Sequence, residues 1–344
     1  ILFMFDQLIE WSRKQYSHLP WREKRTLYGT LVSEIMLQQT TVGTVLNKFD
    51  SFMSRFPSID SLARATEEEV LSEWKGLGYY RRARNLKKAS ESIIEKFQGE
   101  IPLNKTELMQ INGIGEYTAS ALISIGANKP AIAVDANLER VLSRFYGYED
   151  PKGPKLQRRI QAEFSAHKII SDIEKIGPRK LNEAFMDLGR VICKSSQAFC
   201  QQCPIADNCQ ALKKDLVEKI PNTADVKKIK FEELSLLRII CKKKEKIAVT
   251  KRKNGLWLEG QLELPTFILN CTDSQLQQYP WLENYPEYFL LPSFKSTITK
   301  YKITNYVLYL DPKEHEDVFR LDSVYFSSEL SQLSTSSIKA LNQV

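Results

Sequence analysis

The sequence predicts two domains, a mainly helical N-terminal domain followed by a smaller domain of mixed α/β type. The chain has 344 residues, more than one ordinary domain needs. In the first part, apolar residues recur at spacings of three and four, as in Leu27, Leu31 and Ile35, which is typical of helices. From about residue 230, short runs typical of strands replace this pattern. The predicted bounds are 1–212 for the helical domain, 213–230 for a charged linker and 231–344 for the second domain.

Local signals support individual elements. The stretches "PSID" (57–60) and "ATEEEV" (65–70) predict helix starts, with Ser58 or Asp60 and then Thr66 as the capping residues. In the second domain, β-branched and aromatic residues predict strands in four runs, at 235–243, 245–253, 288–294 and 299–310.

Composition excludes several classes of protein. No apolar run approaches the roughly 18 residues of a membrane span, and the opening residues do not form a secretory signal. Lysine and arginine number 49 against 42 acidic residues, a net charge of +7 that favours an anionic partner such as nucleic acid. We therefore expect a soluble monomer of a reducing compartment, cytoplasmic and associated with the nucleoid, with no membrane partner.

Four of the six cysteines lie within 17 residues, in the pattern C-x6-C-x2-C-x5-C. Such clustering indicates a metal site rather than disulfides. Four thiolates complete either a tetrahedral zinc site or a [4Fe-4S] cluster. Zinc sites usually contain two C-x2-C pairs and this loop contains one, which favours the cluster without excluding zinc. The predicted ligands are Cys193, Cys200, Cys203 and Cys209, whereas Cys241 and Cys271 are expected to be buried packing residues.

The stretch "INGIGEYTASAL" (111–122) joins a tight turn to a helical run. Gly113 and Gly115 let the backbone approach a ligand, and the amides at a helix start attract phosphate oxygens. An ordinary turn between helices is the alternative. Because Leu108 and Ile111 keep helical phase before the turn, a helix-hairpin-helix that binds the DNA backbone is predicted.

Two carboxylates stand in apolar stretches, Glu34 in "LVSEIMLQQT" and Asp135 in "AIAVDANLERVL". The alternatives are an exposed position on an amphipathic helix for Glu34 and an N-cap for Asp135. Cleavage of an N-glycosidic bond needs two carboxyls in different environments, one to protonate the leaving group and one to stabilise the sugar cation. Burial raises the pKa of a carboxyl, which suits Glu34 to the role of the acid.

Several motifs together resemble the MutY family of adenine DNA glycosylases. They are "LPWR" (19–22), "SEIMLQQT" (33–40), "GLGYYRRARNL" (76–86), "INGIGEYTASAL" (111–122), "VDANLERVL" (134–142), "NEAFMDLGRVIC" (182–193) and the four-cysteine loop (193–209). The resemblance implies the helix-hairpin-helix DNA glycosylase fold, two helical lobes around a DNA cleft with a [4Fe-4S] loop. It implies base excision repair of double-stranded DNA, namely hydrolytic removal of adenine opposite 8-oxoguanine or guanine that leaves an abasic site.

The resemblance also implies roles for single residues. Glu34 matches the acid that protonates adenine N7, and Asp135 the carboxylate that stabilises the sugar cation and assists water. Asn137 supports Asp135, and Tyr117 lies near this pair. The remaining matches are Arg22 and Glu183 in the adenine pocket, Gln39 and Tyr79 at the opened base stack, Leu77 and Thr40 near 8-oxoguanine, Gly113 and Gly115 on the DNA backbone, and the four cysteines on the cluster. Taken alone, "GLGYY" is typical of a turn between helices with core aromatics.

The second domain resembles the MutT-like, Nudix-fold domain with which this family recognises 8-oxoguanine. Residues 254–265 match a conserved stretch of that domain, with Leu264 in place of Phe, and no Nudix catalytic box follows. Where relatives carry Phe-Ser-His, this chain has Ile298, Thr299 and Lys300. We expect Thr299 to donate a hydrogen bond and Lys300 to contact a phosphate or carbonyl in place of the histidine.

Three alternatives differ in chemistry. A glycosylase with strand-cleaving activity on oxidised pyrimidines needs a lysine that forms a Schiff base, but Tyr117 stands at that place. A mismatch thymine glycosylase has no evident use for an acid at Glu34 that protonates a purine. A non-catalytic iron-sulfur DNA-binding protein would not need both Glu34 and Asp135.

Overall fold

The computed structural model describes residues 5–165, 167–222, 230–253, 255–282, 288–311, 324–328 and 333–343. The chain divides into two units, Ile1–Val226 and Lys227–Val344. Asn254 and residues 223–229 of the predicted linker lie outside the described residues. Within those described, no helix is both long enough and apolar enough to cross a bilayer.

The first unit is built from helices and helical turns. In chain order they are α1 (Asp6–Tyr16), α2 (Pro20–Glu23), α3 (Leu27–Leu37), α4 (Val42–Arg55), α5 (Ile59–Arg64), α6 (Glu67–Glu73), α7 (Arg81–Phe97), α8 (Lys105–Leu108), α9 (Glu116–Ala121), a π-helical turn (Leu122–Gly126), α10 (Ala136–Tyr146), α11 (Pro154–Phe164), α12 (His167–Ile176), α13 (Pro178–Val191) and α14 (Gln210–Lys213).

The predicted helix starts at Ser58 and Thr66 are confirmed. Each hydroxyl accepts a hydrogen bond from the backbone amide three residues on. The side chain at that position in turn accepts a hydrogen bond from the backbone amide of the cap residue. Such capping boxes satisfy amides that the first turn leaves without partners. Ser58 rather than Asp60 is the cap, because Asp60 already lies inside α5.

Two hydrophobic cores divide the helical unit into lobes. The first core draws its buried residues from positions 19–123, including Leu31, Phe52 and Trp74. The second draws on Phe5 and Leu8 and then on positions 132–205. Helix α3 is buried almost all round, from Tyr28 to Met36, as expected of a central helix. The active-site candidates from α3, α9 and α10 therefore stand where these two lobes meet.

The first part of the predicted linker contacts the helical unit, and the division between the two units falls within the predicted 213–230. Ile220 is buried, and its carbonyl accepts a hydrogen bond from Arg144 Nε at 2.8 Å. The carbonyl of Asn222 accepts another from the amide of Lys152. Its charged residues suggested a free connector, but apolar residues such as Ile220 fix this segment to the helices.

The described residues of the second unit form two sheets and one short helix. Its strands are β1 (Glu232–Ile240), β2 (Lys242–Lys243), β3 (Lys246–Lys251), β4 (Leu262–Glu263), β5 (Thr266–Cys271), β6 (Ser293–Ile298), β7 (Tyr301–Tyr309) and β8 (Val324–Ser327), followed by α15 (Thr335–Leu341). One sheet has the order β5-β1-β7-β6, and in the other β3 pairs with β2, β4 and β8. Strands β1 and β7 run parallel, with Leu236 opposite Asn305.

This mixed architecture confirms the α/β fold class, but one predicted strand is largely wrong. The run 288–294 begins as a 3-10 turn at Tyr288–Leu290, and β6 starts only at Ser293. Phe289 and Leu290 are exposed, so the apolar run does not mark a buried strand there. Cys241 is buried as expected, whereas Cys271 is half-buried.

Candidate active site

Glu34 lies inside the central helix α3, and only 5% of its surface is exposed. The alternative of an exposed position on an amphipathic helix is therefore wrong. The hydroxyl of Tyr117, from α9, donates a hydrogen bond to Glu34 Oε2 at 2.5 Å. This contact brings together two of the predicted site residues, 83 positions apart in the chain.

The electrostatic setting of Glu34 favours its protonated form. Burial raises the pKa of Glu34 from 4.5 to about 7; the Tyr117 hydrogen bond lowers it, whereas the charges of Asp135 and Glu183 raise it further. Burial also raises the pKa of Tyr117 well above its ordinary value. The site therefore holds a carboxyl whose pKa lies much closer to neutral pH than that of an exposed glutamate.

Asp135 is the N-cap of α10, so the capping interpretation is confirmed. Oδ1 accepts hydrogen bonds from the amides of Asn137 (2.9 Å) and Leu138 (2.7 Å), and Oδ2 accepts one from Asn137 Nδ2 (3.0 Å). Burial raises the pKa of Asp135, while these donors act in the opposite direction. Capping and a place in the site coincide, because Asp135 also influences the pKa of Glu34.

A chain of hydrogen bonds runs from Asp135 to the cysteine loop. Arg140 Nη2 donates to Asn137 Oδ1 and to the Gly189 carbonyl, both at 2.9 Å, and Arg140 Nε donates to the Cys193 carbonyl at 2.8 Å. The sequence reading did not single out Arg140. The sequence feature that could have indicated Arg140 is its position one helical turn after Asn137, which places the two side chains next to each other.

Arg22 joins two carboxylates of α13. Its guanidinium binds both carboxylate oxygens of Asp187, at 2.8 and 3.2 Å, and Nε lies 3.5 Å from Glu183 Oε1. Burial alone would lower the pKa of Arg22, but the charges of Glu183, Asp187 and Glu34 raise it. Arg22 and Glu183, both predicted pocket residues, are thus close to each other and within electrostatic range of Glu34.

The sequence reading missed two partners of this charge group. Asp187 is 2% exposed and also accepts a hydrogen bond from Ser12 Oγ at 2.6 Å. Arg25 pairs with Glu183 at 2.6 Å. Asp187 follows Glu183 by four residues on α13, and this spacing was a signal that the two share a helix face.

The predicted hairpin is present between α8 and α9. Gly113 has φ +82°, and a Cβ there would lie 2.7 Å from the Cβ of Asn85, so both conformation and space require glycine. Gly115 is the N-cap of α9 with extended φ and ψ. A Cβ on Gly115 would meet no other atom of the described chain within 4 Å, so the side-chain position of Gly115 is open.

The predicted DNA contacts differ in exposure. Gln39 and Tyr79 are exposed, Tyr79 by 63%, so the interpretation of "GLGYY" as a turn with core aromatics is wrong for Tyr79. Thr40 is half-buried, and its hydroxyl approaches the Leu77 carbonyl at 3.4 Å. Leu77, predicted to contact DNA near 8-oxoguanine, is only 4% exposed and packs in the first core.

The four clustered cysteines lie in one loop after α13, half-buried and free of disulfides. Burial raises the pKa of Cys203 to about 12, and the charges of the other three thiols add to this increase. All four thiols are thus within electrostatic range of one another. Across the described residues, the side chains of cysteine, histidine and carboxylates do not form a group of three or more arranged to hold a metal ion.

Thr299 and Lys300 lie in the second unit, at the turn between β6 and β7. Thr299 is exposed and has φ +51°. Lys300 Nζ pairs with Asp273 Oδ2 at 3.1 Å, and the hydroxyl of Tyr301 donates to the same oxygen at 2.6 Å. The charge of Lys300 is therefore balanced within the unit, which sequence alone did not indicate.

Comparison with known proteins gives consistent matches. The family model described as HhH-GPD superfamily base excision DNA repair protein matches residues 32–166. The chain is 34% identical over 289 residues to the adenine DNA glycosylase of Buchnera aphidicola subsp. Schizaphis graminum, covering 82% of this chain and 79% of that protein. A thermostable thymine-DNA glycosylase structure matches at 25% identity with a TM-score of 0.51, covering 62% of this chain and 95% of its own. An endonuclease III–DNA complex, at 24% identity and TM-score 0.50, covers 63% of this chain and 98% of its own and shares the fold.

Proposed function

Since the chain belongs to the adenine DNA glycosylase family and is a base-excision-repair glycosylase, we propose that it removes adenine paired with 8-oxoguanine or guanine in double-stranded DNA. The reaction is hydrolysis of the N-glycosidic bond, and the product is an abasic site. The observation that carries the proposal is Glu34, a buried carboxyl whose pKa of about 7 lies close to neutral pH.

Glu34 acts as the general acid that protonates adenine N7. General acids are most efficient when their pKa lies near the working pH. The hydroxyl of Tyr117 occupies Oε2, so Oε1 is the oxygen that transfers the proton to the base. Protonation makes adenine a better leaving group, and the glycosidic electron pair departs with it.

Asp135 acts as the carboxylate that faces the sugar cation and assists the attacking water. Three N–H donors and the N-terminus of α10 support its charged form. Tyr117 has no amine to form a Schiff base with the sugar, so the reaction stops at the abasic site. Arg22 and Glu183 complete the polar wall that selects adenine.

The DNA contacts follow from exposed backbone and side chains. The open side-chain position of Gly115, at the start of α9, leaves room for a DNA phosphate to approach the backbone. Gln39 and Tyr79 fill the stack when the base is extruded. In the second unit, the exposed hydroxyl of Thr299 is the proposed donor to 8-oxoguanine, and Lys300, which pairs with Asp273, is the proposed contact to a phosphate or carbonyl.

The four cysteines would hold a [4Fe-4S] cluster. The chemistry of the donor set suits this cofactor, although the four side chains are not arranged around a common metal position: as thiolates within range of one another they repel, and a cationic metal centre offsets that repulsion. When bound, the cluster would stabilise the loop that follows α13. Visible iron-sulfur absorption, with equal amounts of iron and acid-labile sulfide, tests this assignment; stoichiometric zinc would contradict it.

Single-turnover excision tests the function. Duplexes with adenine opposite 8-oxoguanine, guanine or cytosine are incubated with the parent chain, with Glu34→Gln and with Glu95→Gln, which changes an exposed glutamate of α7. We expect the parent and Glu95→Gln to release adenine opposite 8-oxoguanine and guanine, and Glu34→Gln to release almost none. Equal release by Glu34→Gln would refute the acid's role, and a parent without adenine release would refute the function.

A second candidate is excision of mismatched thymine, which the similarity to the thermostable thymine-DNA glycosylase favours. The same assay includes thymine opposite guanine. Release of thymine in preference to adenine would replace the proposed substrate, and it would leave Glu34 without a purine nitrogen to protonate.

A further inference from the structure

Two exposed residues that face the opened base stack in the proposed reaction have strained backbones. Gln39 has φ +54° and Tyr79 has φ +45°, both in the left-handed region. This conformation is unfavourable for a residue with a side chain, because the Cβ crowds the following carbonyl oxygen. We call residues 38–40 and 77–79 the wedge segments. Contacts from another residue must hold both segments in this conformation, because the exposed side chains of Gln39 and Tyr79 do not.

The guanidinium of Arg82, on α7, contacts both wedge segments. Nη2 donates to the carbonyl oxygens of Leu77 (2.9 Å) and Gly78 (3.2 Å) and to Thr40 Oγ1 (2.8 Å). Nη1 donates to the carbonyl of Gln38 at 2.5 Å. These acceptors flank the two strained residues, because Gln39 lies between Gln38 and Thr40 and Tyr79 follows Gly78.

The same guanidinium binds the end of the helix that carries Glu34. Nη1 also donates to the carbonyls of Ile35 (2.9 Å) and Met36 (2.7 Å), which follow Glu34 directly in α3. Carbonyls at the end of a helix lack partners within the helix, so a cation there satisfies them. One side chain thus fixes the wedge segments and the helix of the acid.

Arg82 is costly to bury in this way. It is 8% exposed, and in the described part of the chain no carboxylate pairs with it and Nε has no hydrogen-bond partner. Its guanidinium lies 5.4 Å from the Trp74 ring centroid and 5.6 Å from that of Tyr79. Burial lowers its pKa to about 10, so it stays charged at neutral pH. Only a planar group with several donors satisfies acceptors in this arrangement, and a lysine does not.

We propose that Arg82 is a positioning residue that presets Gln39 and Tyr79 for entry into the DNA stack and ties them to the helix of Glu34. The inference rests on the proposed function. Base extrusion breaks stacking and pairing, and a rigid wedge offsets this cost better than a mobile one. Substitution of Arg82 should therefore reduce the excision rate most on substrates in which the base stack must be opened.

The test compares two substrates in single-turnover excision by the full chain. One carries adenine opposite guanine, and the other carries adenine opposite an abasic site, where no pair must be broken. For Arg82→Lys we expect a loss of about 10- to 100-fold on the paired substrate and a clearly smaller loss on the unpaired one. Arg84→Lys is the matched control, because Arg84 lies on the same helix and pairs with Glu67 at 2.8 Å.

A second readout follows base extrusion itself. With 2-aminopurine in place of the target adenine, the fluorescence rise on binding should be weaker for Arg82→Lys than for Arg84→Lys. Combining Arg82→Lys with Tyr79→Ala should cost less than the sum of the two single losses, since both substitutions act on the same wedge. Equal losses on the two substrates, additive losses or unchanged fluorescence would each overturn the proposal.

Thr40→Val keeps the test decisive if Arg82→Lys does not fold. This variant removes one acceptor of the guanidinium while the cation keeps its carbonyls. The expected loss again depends on the substrate, and an equal loss on both would overturn the proposal. A parent chain that releases adenine from neither substrate refutes the proposed function instead, so the two failures are distinguishable.

Discussion

Two buried glutamates, one in each unit, differ in how their charge is compensated. Glu34 of α3 receives one hydrogen bond, from Tyr117, and burial raises its pKa to about 7. Glu263 of β4 is fully buried, yet Arg238 Nη1 donates to it at 2.9 Å and Tyr279 donates to it at 2.8 Å. Further contacts to Glu263 come from Arg252 and Ser334.

Because Glu34 and Glu263 are both buried but differ in compensation, burial alone does not mark a catalytic carboxyl. A buried charge with full compensation serves packing and orientation, and its removal leaves partners without hydrogen bonds. A buried carboxyl with little compensation keeps a proton near neutral pH and can transfer it. We therefore assign a catalytic role to Glu34 and a structural role to Glu263. Matched variants of the two residues test this assignment.

The largest expected effect is on excision. Glu34→Gln should reduce single-turnover release of adenine by about 10²- to 10⁴-fold, the usual contribution of a general acid. Glu263→Gln, if the protein is folded, should change release of adenine opposite guanine only a few-fold. Comparable losses in both variants would show that the difference in compensation does not separate chemistry from structure.

The two variants should affect stability in the reverse order, with the larger loss in Glu263→Gln. Glu263→Gln leaves Arg238 buried without its ion pair, and breaking a buried pair costs about 3–5 kcal/mol. Amide hydrogen exchange in β1 and β7 should accelerate at least about 100-fold, while Glu34→Gln leaves exchange in α3 unchanged or slower at neutral pH. Unaltered exchange in β1 after Glu263→Gln would mean that the pair contributes little.

The pH dependence of stability should identify Glu34 directly. Its pKa in the folded state, about 7, lies above the ordinary 4.5, so the folded state binds the proton more tightly than the unfolded state does. This contribution is full below about pH 4.5 and is lost as pH rises through 7, which amounts to about 3 kcal/mol. Urea unfolding of parent and Glu34→Gln should diverge by this amount between acid and alkaline pH. Parallel plots of stability against pH for the two proteins would mean that Glu34 is not the carboxyl that titrates.

Much of the helical unit was predictable, because helix periodicity and caps are local signals. Ser58 and Thr66 were predictable as caps from their residue types at the helix starts, and Asp135 was predictable as an N-cap. The place of Glu34 in the core required tertiary packing, since local sequence allowed an exposed face as well.

The missed residues share one physical cause. Arg82, Arg140 and Asp187 act through partners distant in sequence, and a periodic pattern does not indicate which carbonyl or carboxylate folding brings to them. In the second unit, the exposed apolar turn at Tyr288–Leu290 resembled a strand, because short apolar runs carry no sign of burial. The pairing of Lys300 with Asp273 depends on a loop 27 residues away.

The smallest effect comes from removing one hydroxyl beside each glutamate. Tyr117→Phe removes the donor that lowers the pKa of Glu34, so the alkaline limb of the excision profile should move to higher pH. Tyr279→Phe removes the corresponding donor to Glu263 and should cost about 1–2 kcal/mol of stability. That variant should not shift the pH profile of excision, because Glu263 retains Arg238 and takes no part in the chemistry. A profile measured from pH 5 to 9, at rates limited by base release, checks both. A shift to lower pH in Tyr117→Phe would mean that the tyrosine stabilises the protonated carboxyl instead.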